Sequence, residues 1–202
     1  MPLLGGHVAL DFANTAGDHA GEAPREKLTD YGDVLAWARH VGVLSAEEAR
    51  ALERESRAHP VRAARAHQAT VELREVVYRV FAALAHHRRP TSVDLGILHA
   101  ARIQALEAAA PEWVEGQGLV MRWPMQTLDF ARPLHPVMLA ASELLESPEL
   151  ARLRQCGNSP CGWLFIDRSR SGTRRWCSSA DCGNQTRVRR FRQRRTVETN
   201  DE

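Results

Sequence analysis

Four cysteines near the end of the chain are the residues whose types and spacing most clearly predict chemistry. Each C-x4-C pair can present two thiolates from one tight turn, and four thiolates complete the tetrahedral shell of a structural zinc ion. Glycine directly follows three of the four, and it allows the positive φ that a chain curling around a metal often needs. The sequence therefore predicts one zinc site with four ligands, which are Cys156, Cys161, Cys177 and Cys182.

The alternative use of four cysteines is two disulfide bonds, which form in oxidising compartments. The segment Met1–Gly6 carries no lysine or arginine and no long apolar run, so we expect no signal peptide. No stretch approaches the roughly 18 apolar residues of a membrane helix. We therefore expect a cytoplasmic protein and favour zinc over disulfides.

The small net charge of +2 hides a strong asymmetry along the chain. Residues 152–195 carry 12 arginines against two aspartates, whereas residues 1–151 have a net charge of −5. A basic segment joined to a mildly acidic body predicts a polyanionic partner for that segment alone. Every basic residue of the segment is arginine, whose planar guanidinium suits phosphate groups and guanine edges.

The first 150 residues have the apolar periodicity of helices. The capping box that begins at Ser45 and the Thr91–Asp94 pair mark two helix starts. Residues 7–12 form a short apolar run that fits either a strand or a helix start. The fold class is predicted as mainly α, with a short strand element (α+β). We expect helices at 30–43, 45–57, 61–87, 91–110 and 134–145, a loop at 14–24, and a strand within 115–123.

The cysteine segment predicts a small α+β module. Residues 162–167 favour a strand, Ser171-Gly172 marks a turn, and residues 174–176 favour the returning strand of a hairpin. Two cysteine knuckles, a β-hairpin and a helix around one zinc ion form a treble-clef-like arrangement. The expected boundaries are a helix-rich domain at 1–153, the zinc module at 154–196 and an acidic tail at 197–202. Aromatic residues expected to fill the module's core are Trp163, Phe165, Trp176 and Phe191.

Residues 184–195 predict a helix dominated by arginine, with Val188 and Phe191 on its buried side. An ordinary solvated helix face mixes both signs of charge, so this density favours binding of nucleic acid. Exposed Trp163 or Trp176 would favour stacking on unpaired RNA bases, whereas buried ones favour contacts with duplex backbone. An acidic protein is a further alternative partner. Arginines expected to bind nucleic acid are Arg174, Arg175, Arg187, Arg189, Arg190, Arg192 and Arg194.

The motifs Cys161–Asp167, Arg175–Ser178 and Cys182–Asn184, followed by the arginine-rich helix, resemble the CGNR zinc-finger family of bacterial regulators. The upstream segment Leu10–Thr15, with Leu35 and Trp37, is similar to the ABATE domain that accompanies this finger. The resemblance covers nearly the whole chain. It implies a bacterial transcription regulator with a DNA-binding finger and an N-terminal domain that senses a ligand or dimerises.

Gln185 departs from the family pattern, because the family's namesake arginine follows Cys-Gly-Asn. Since glutamine can still reach an adenine edge, Gln185 is retained among the expected nucleic-acid-binding residues. A single small module buries only about 600–1,000 Å² on DNA, so a homodimer presenting two modules is a further hypothesis.

One polar cluster of the N-terminal domain is a candidate lining for a small-ligand pocket. Its alternative role is helix capping and turn formation, which these residue types perform routinely, and this alternative is favoured. No P-loop, nucleophile elbow or His-Glu-x-x-His motif is present in the sequence, so we expect no enzymatic activity and no catalytic residue. The candidate pocket residues are Asp11, Asn14, Thr15 and Trp37.

Overall fold

The N-terminal part of the chain forms a helical body around one long helix. The structure, a computed structural model, describes residues 1–124 and 129–198, with the side chains of 194–198 excepted. The long helix α4 contacts α1, α2, α3 and α5, and α6 packs against α1 and α5. The helices of the body are α1 (Val8–Ala13), α2 (Tyr31–His40), α3 (Ala46–Ala58), α4 (Pro60–Ala85), α5 (Ser92–Glu107) and α6 (His135–Glu146).

Local sequence signals explain where these helices begin. Asp30 caps α2 by accepting a hydrogen bond from the Asp33 amide at 2.9 Å. Ser45 and Glu48 form the expected capping box at the start of α3. Thr91 caps α5. The predicted helix starts near 30, 45 and 91 are therefore confirmed, and the apolar run at 7–12 is a helix rather than a strand.

Three antiparallel strand pairs complete the described chain: β1 (Ala16–Gly17) with β2 (Arg25–Glu26), β3 (Ala110–Val114) with β4 (Gly118–Arg122), and β5 (Leu153–Gln155) with β6 (Leu164–Ile166). The strand predicted within 115–123 is confirmed as β4. β1 lies within the predicted loop at 14–24. The sequence did not predict this strand, because two residues are too few to show a periodic pattern. The end of the helix predicted at 91–110 also shifts, since α5 ends at Glu107 and β3 begins at Ala110.

The hairpin of the cysteine module differs from the predicted one in its pairing. The predicted strand at 162–167 is present as β6, but it pairs with β5 and not with residues 174–176. The Arg174 amide instead donates to the Asp167 carboxylate at 2.9 Å. The Gly157 amide donates to the carbonyl of Arg175 at 2.8 Å. The prediction of a returning strand at 174–176 is wrong, because the first knuckle already folds the preceding segment back along β6.

β6 is buried on both faces. Because successive side chains of a strand point to opposite sides, Leu164 and Ile166 belong to the main core of the helical body. Phe165 and the neighbouring Trp163 instead pack with the four cysteines in a second, smaller core. The same short strand therefore belongs to both cores. Leu153 of β5 also packs in the main core.

The arginine-rich helix α7 (Asn184–Glu198) follows a π-helical turn at Ser179–Gly183 and contacts that turn. Its Phe191 side chain is 61% exposed, and Val188 is exposed as well. The expectation that Phe191 fills the module's core and that both residues define a buried helix side is therefore wrong. Trp163 and Phe165 are buried as expected, and Trp176 is half-buried against the same cluster.

Two further observations concern the limits of the described chain. Of the expected acidic tail at 197–202, residues 199–202 lie outside the described residues. Among the helices of the described ranges, none combines the length and the apolar character that a membrane crossing needs.

Candidate metal centre and arginine-rich helix

The four cysteines meet at one buried point. Their sulfur atoms all lie within 4.8 Å of one another. The Sγ atoms of Cys161 and Cys177 are 3.6 Å apart, as are those of Cys177 and Cys182. A tetrahedron of sulfurs around zinc with Zn–S of about 2.3 Å has edges of about 3.8 Å, whereas a disulfide bond is only about 2.05 Å long. The arrangement fits a zinc ion and not two disulfides.

The first knuckle is shaped by backbone hydrogen bonds and one indispensable glycine. The Cys156 amide donates to the Trp163 carbonyl at 2.8 Å, and the Cys161 amide donates to the Asn158 carbonyl at 2.9 Å. Gly162 has a φ of +66°. A Cβ there would lie 2.7 Å from the nearest backbone nitrogen of the body. Both the backbone conformation and the close approach therefore require glycine.

Four sulfurs in so small a volume cannot all ionise without a cation beside them. Hydrogen bonds from the thiols of Cys161 and Cys177 lower the pKa of Cys156. The neighbouring sulfurs, together with burial, raise the pKa of Cys177. Zinc removes this conflict by stabilising four thiolates at once, and the closed four-sulfur shell leaves no coordination position for a water molecule. The site is therefore a structural zinc centre.

The zinc module is fixed to the helical body through backbone groups of its first knuckle and β6 and through the Trp163 side chain. The Asn14 side chain donates to the Leu164 carbonyl at 2.8 Å and accepts from the Leu164 amide at 2.9 Å. The Trp163 indole donates to the Ala16 carbonyl at 2.7 Å. The His19 amide donates to the Cys161 carbonyl at 3.0 Å. One zinc ligand is thus held directly by the body.

A charged network supports this junction from the side of the body. The Glu75 carboxylate on α4 lies 3.1 Å from the His19 ring and 2.7 Å from the Arg74 guanidinium, which also pairs with Glu26 on β2. Burial disfavours ionisation of Glu75, but hydrogen bonds from His19 and Arg74 outweigh it and hold the pKa of Glu75 at about 2. The network therefore joins β2 and α4 to the loop that contacts Cys161.

The four candidate pocket residues make structural contacts. Asp11 accepts a hydrogen bond from the Gly5 amide at 2.8 Å. Thr15 donates to the Phe12 carbonyl at 2.7 Å. Trp37 is buried with its ring centroid 5.3 Å from that of Phe12. Together with the Asn14 contacts, these bonds agree with the favoured alternative, in which the four residues stabilise the fold. Ligand binding by these residues stays a prediction.

A cavity of about 530 Å³ lies beside the zinc centre, between β1–β2 of the body and the module. Lys27, the single lysine of the chain, places its ammonium 4.2 Å from the centre of the Trp163 ring. Asp18 and Arg25 form an ion pair of 2.7 Å at its edge. Burial lowers the pKa of Lys27, and the charge of Arg25 lowers it further. Gln185 of α7 lines the same cavity.

Asn158 connects the first knuckle to α7. Its side chain is almost fully buried, donates to the Gln185 side chain at 3.1 Å, and accepts a hydrogen bond from the Arg189 guanidinium. Gln185 and Arg189 are four residues apart and therefore share one face of the helix. Two of the expected nucleic-acid-binding residues thus also hold α7 in place.

The remaining expected nucleic-acid-binding residues fall into groups. Arg174 is bound within the module, because its guanidinium donates to the carbonyls of Trp176 and Cys177. Arg194 lies in α7, beyond the residues whose side chains are described. Four arginines are exposed at the surface, namely Arg175, Arg187, Arg190 and Arg192.

Sequence reasoning missed Asn158 and Lys27 as parts of this site. A signal for Asn158 exists, since Cys156-Gly157-Asn158 repeats as Cys182-Gly183-Asn184 around the second pair of cysteines. No comparable signal marks Lys27, which reaches the zinc module only through the fold of β1 and β2.

Comparisons with protein families agree with this division into body and module. A helical body that continues into a closed four-cysteine zinc module and an arginine-rich helix defines a class, the zinc-finger proteins. Residues 6–148 match the family ABATE, described as "Putative stress-induced transcription regulator", and residues 152–195 match the CGNR zinc finger. The chain belongs to the ABATE family and carries a CGNR zinc finger at its C-terminal end. A comparison with curated proteins finds no match.

Proposed function

We propose that this protein is a cytoplasmic bacterial transcription regulator that binds duplex DNA through the exposed arginine face of α7. The observation that carries the proposal is the position of Arg187 and Arg190. They are three residues apart, so they lie on one face of the helix, and both are exposed. The opposite face contains Gln185 and Arg189, which hold α7 to the zinc knuckle through Asn158.

The zinc module supports this function by giving a short, highly charged helix a fixed orientation. A helix with so many like charges is unfavourable alone, since like charges four residues apart repel. The zinc ion fixes the turn that contains Cys182, and α7 begins two residues later. Arginines on a rigid support can then meet DNA phosphates in a defined register.

Duplex DNA is favoured over unpaired RNA by the burial of the two tryptophans of the zinc module. Trp163 is buried, donates its indole N–H to the Ala16 carbonyl and is covered on one face by Lys27. It therefore presents no free ring for stacking on a base. Trp176 is half-buried against the cysteine cluster, with the Arg175 guanidinium 5.6 Å from its ring centre. These contacts support backbone recognition of a duplex.

The cavity beside the zinc centre is the position that best supports a sensing role for the body. A small molecule there would touch Lys27 of the body and Gln185 of α7. Because Gln185 is bonded to Asn158, such a ligand would act on the contact that orients α7. The role proposed for the cavity is regulatory, and the closed zinc shell supports no catalytic function.

The experiment that tests DNA binding compares two double variants of equal charge change. In the first, Arg187 and Arg190 become alanine. In the control, Arg50 and Arg54 become alanine, and these are also exposed but lie on α3 of the body. Affinity for a DNA duplex is measured by fluorescence anisotropy at salt concentrations from roughly 50 to 300 mM.

The expected result is a weaker and less salt-dependent complex for the α7 variant alone. Each lost phosphate contact reduces the slope of log affinity against log salt by about 0.9, so the slope should fall by roughly 2. The α3 variant should keep the wild-type slope. Equal slopes for both double variants would show that general charge, and not α7, determines binding.

A further inference from the structure

Helix α5 has large apolar side chains on its exposed side as well as on its buried side. Leu98 and Ala105 are buried against the rest of the body, where α5 packs on α4 and α6. From Leu95 to Ala101 the sequence contains no aspartate, glutamate, lysine or arginine. A helix on the surface normally has a polar outer face, whereas an apolar outer face is typical of a helix that is covered. The exposed large apolar side chains of α5 are Val93, Leu95, Ile97, Ile103 and Leu106.

The β3–β4 hairpin that follows α5 is apolar on one face as well. Trp113 pairs with Leu119, and Pro111 pairs with Met121. Positions two residues apart on a strand share a face, so these four side chains lie together. Trp113 is 73% exposed. A two-stranded hairpin is only marginally stable alone, so an apolar face of this kind indicates that it packs against something.

The hairpin and α5 are joined at the end of β4. The Trp123 indole donates to the Ala105 carbonyl of α5 at 2.8 Å, which ties the residue after β4 to the helix. We call the exposed apolar residues of the two elements the α5–hairpin surface. They are the five residues of α5 named above and Trp113, Leu119 and Met121 of the hairpin.

We propose that the α5–hairpin surface is the interface with a second copy of this chain in a symmetric dimer. Its eight side chains are between 38% and 73% exposed. At roughly 200 Å² for a fully exposed large side chain, they present on the order of 800 Å², which is about what each partner contributes to a standard interface. Single scattered apolar side chains are normal on a monomer, whereas eight of the exposed large apolar side chains of the described residues lie on these two consecutive elements.

The charges near this surface favour a second copy over a charged partner. Arg102 pairs with Glu146 at 3.3 Å, and Glu112 pairs with Arg122 at 3.3 Å. These three charged groups of α5 and the hairpin are thus paired within one chain. A symmetric dimer places the same patch on both partners, so an uncharged apolar surface meets an equally uncharged one. The eight residues of the surface offer no charge to a strongly acidic or basic partner.

The test uses two variants of the surface and one matched control. Val93 and Val61 are each the second residue of a helix, α5 and α4, and they are 69% and 66% exposed. Val93→Glu places a charge in the surface, whereas Val61→Glu places the same charge outside it. Leu119→Glu tests the hairpin independently. Sedimentation velocity of the zinc-loaded protein is measured without DNA over a hundredfold range of concentration, with circular dichroism to verify folding.

The expected result is a dimer for the wild type and for Val61→Glu, and a monomer of unchanged helicity for Val93→Glu and Leu119→Glu. The dissociation constant should rise at least tenfold in each surface variant. A wild type that stays monomeric, or that forms open-ended polymers, overturns the proposal. So does a wild-type dimer that neither surface variant weakens. Because DNA is absent, the outcome is independent of the DNA-binding experiment.

Discussion

Asn158 shows how a single buried side chain can connect a metal site with a binding surface. It lies in the first knuckle, and it bonds to both Gln185 and Arg189 of α7. Its backbone carbonyl separately accepts from the Cys161 amide. The side chain therefore orients the helix, whereas the backbone shapes the zinc site, and substitution can separate the two roles.

Asn158→Ala is expected to weaken DNA binding without loss of zinc. The variant removes a hydrogen bond to a charged guanidinium, which is worth about 1.5–3 kcal/mol, so affinity should fall roughly tenfold or more if orientation depends on it. Anisotropy measures DNA affinity, and metal analysis measures zinc stoichiometry. Asn158→Asp keeps an acceptor for Arg189 and should retain more affinity than alanine does. An alanine variant that binds like the wild type would show that Asn158 does not orient α7.

Residue types and spacing alone predicted the zinc ligands, because four thiolates in two close pairs have few other uses. The contacts of Asn14 and Lys27 with the module could not be predicted in the same way. Asn14 bonds to Leu164 across 150 residues of sequence, and only the packing of α1 against β6 brings the two together. Local sequence patterns do not indicate contacts between residues that are so far apart in the chain.

At the level of elements, helix positions were predictable and strand pairing was not. Capping residues such as Ser45 and Thr91 act within one turn of the chain, so they are readable from sequence. The partner of β6 depends instead on how the knuckle reverses the chain. The exposure of Phe191 follows from the direction in which α7 leaves the module, which no periodicity in its own sequence encodes.

Two glycines offer a matched test of how closely the first knuckle packs on the body. Gly162 and Gly172 have nearly equal φ values of +66° and +65°. A Cβ at Gly162 would lie 2.7 Å from the Ala20 amide nitrogen and 2.8 Å from the Tyr78 hydroxyl, whereas nothing lies within 4 Å at Gly172. The two positions share the backbone strain but differ in available space.

Gly172→Ala should therefore cost about 1–2 kcal/mol of unfolding free energy, from the left-handed backbone alone. Gly162→Ala should cost clearly more, since the body must also move away from the knuckle. Urea unfolding of the zinc-saturated variants measures both values. Equal losses would contradict the close packing of knuckle and body.

On the scale of the whole molecule, the zinc module and the helical body share their core. Leu153, Leu164 and Ile166 of the β5–β6 hairpin pack with residues of the body, including Phe12. Sequence periodicity predicted a helical part and a cysteine part, but it could not predict that one strand belongs to both. Metal binding should therefore stabilise the body as well as the module.

Removal of zinc by a chelator is expected to lower the thermal stability of the entire chain. With zinc, circular dichroism at the helix signal and tryptophan fluorescence should follow one transition at one temperature. Without zinc, both signals should move to lower temperature together. Cys161→Ser should behave like the chelated protein. A helix transition at the same temperature with and without zinc would contradict the shared core.

The function proposed for the whole molecule is that its zinc-supported arginine helix binds duplex DNA. Its most direct test is a salt titration of the zinc-loaded protein with duplex DNA, using single-stranded RNA as competitor. We expect a steep salt dependence, preference for the duplex, and loss of binding when zinc is removed. Salt-independent binding, preference for the RNA, or no binding to the duplex at low salt would contradict it.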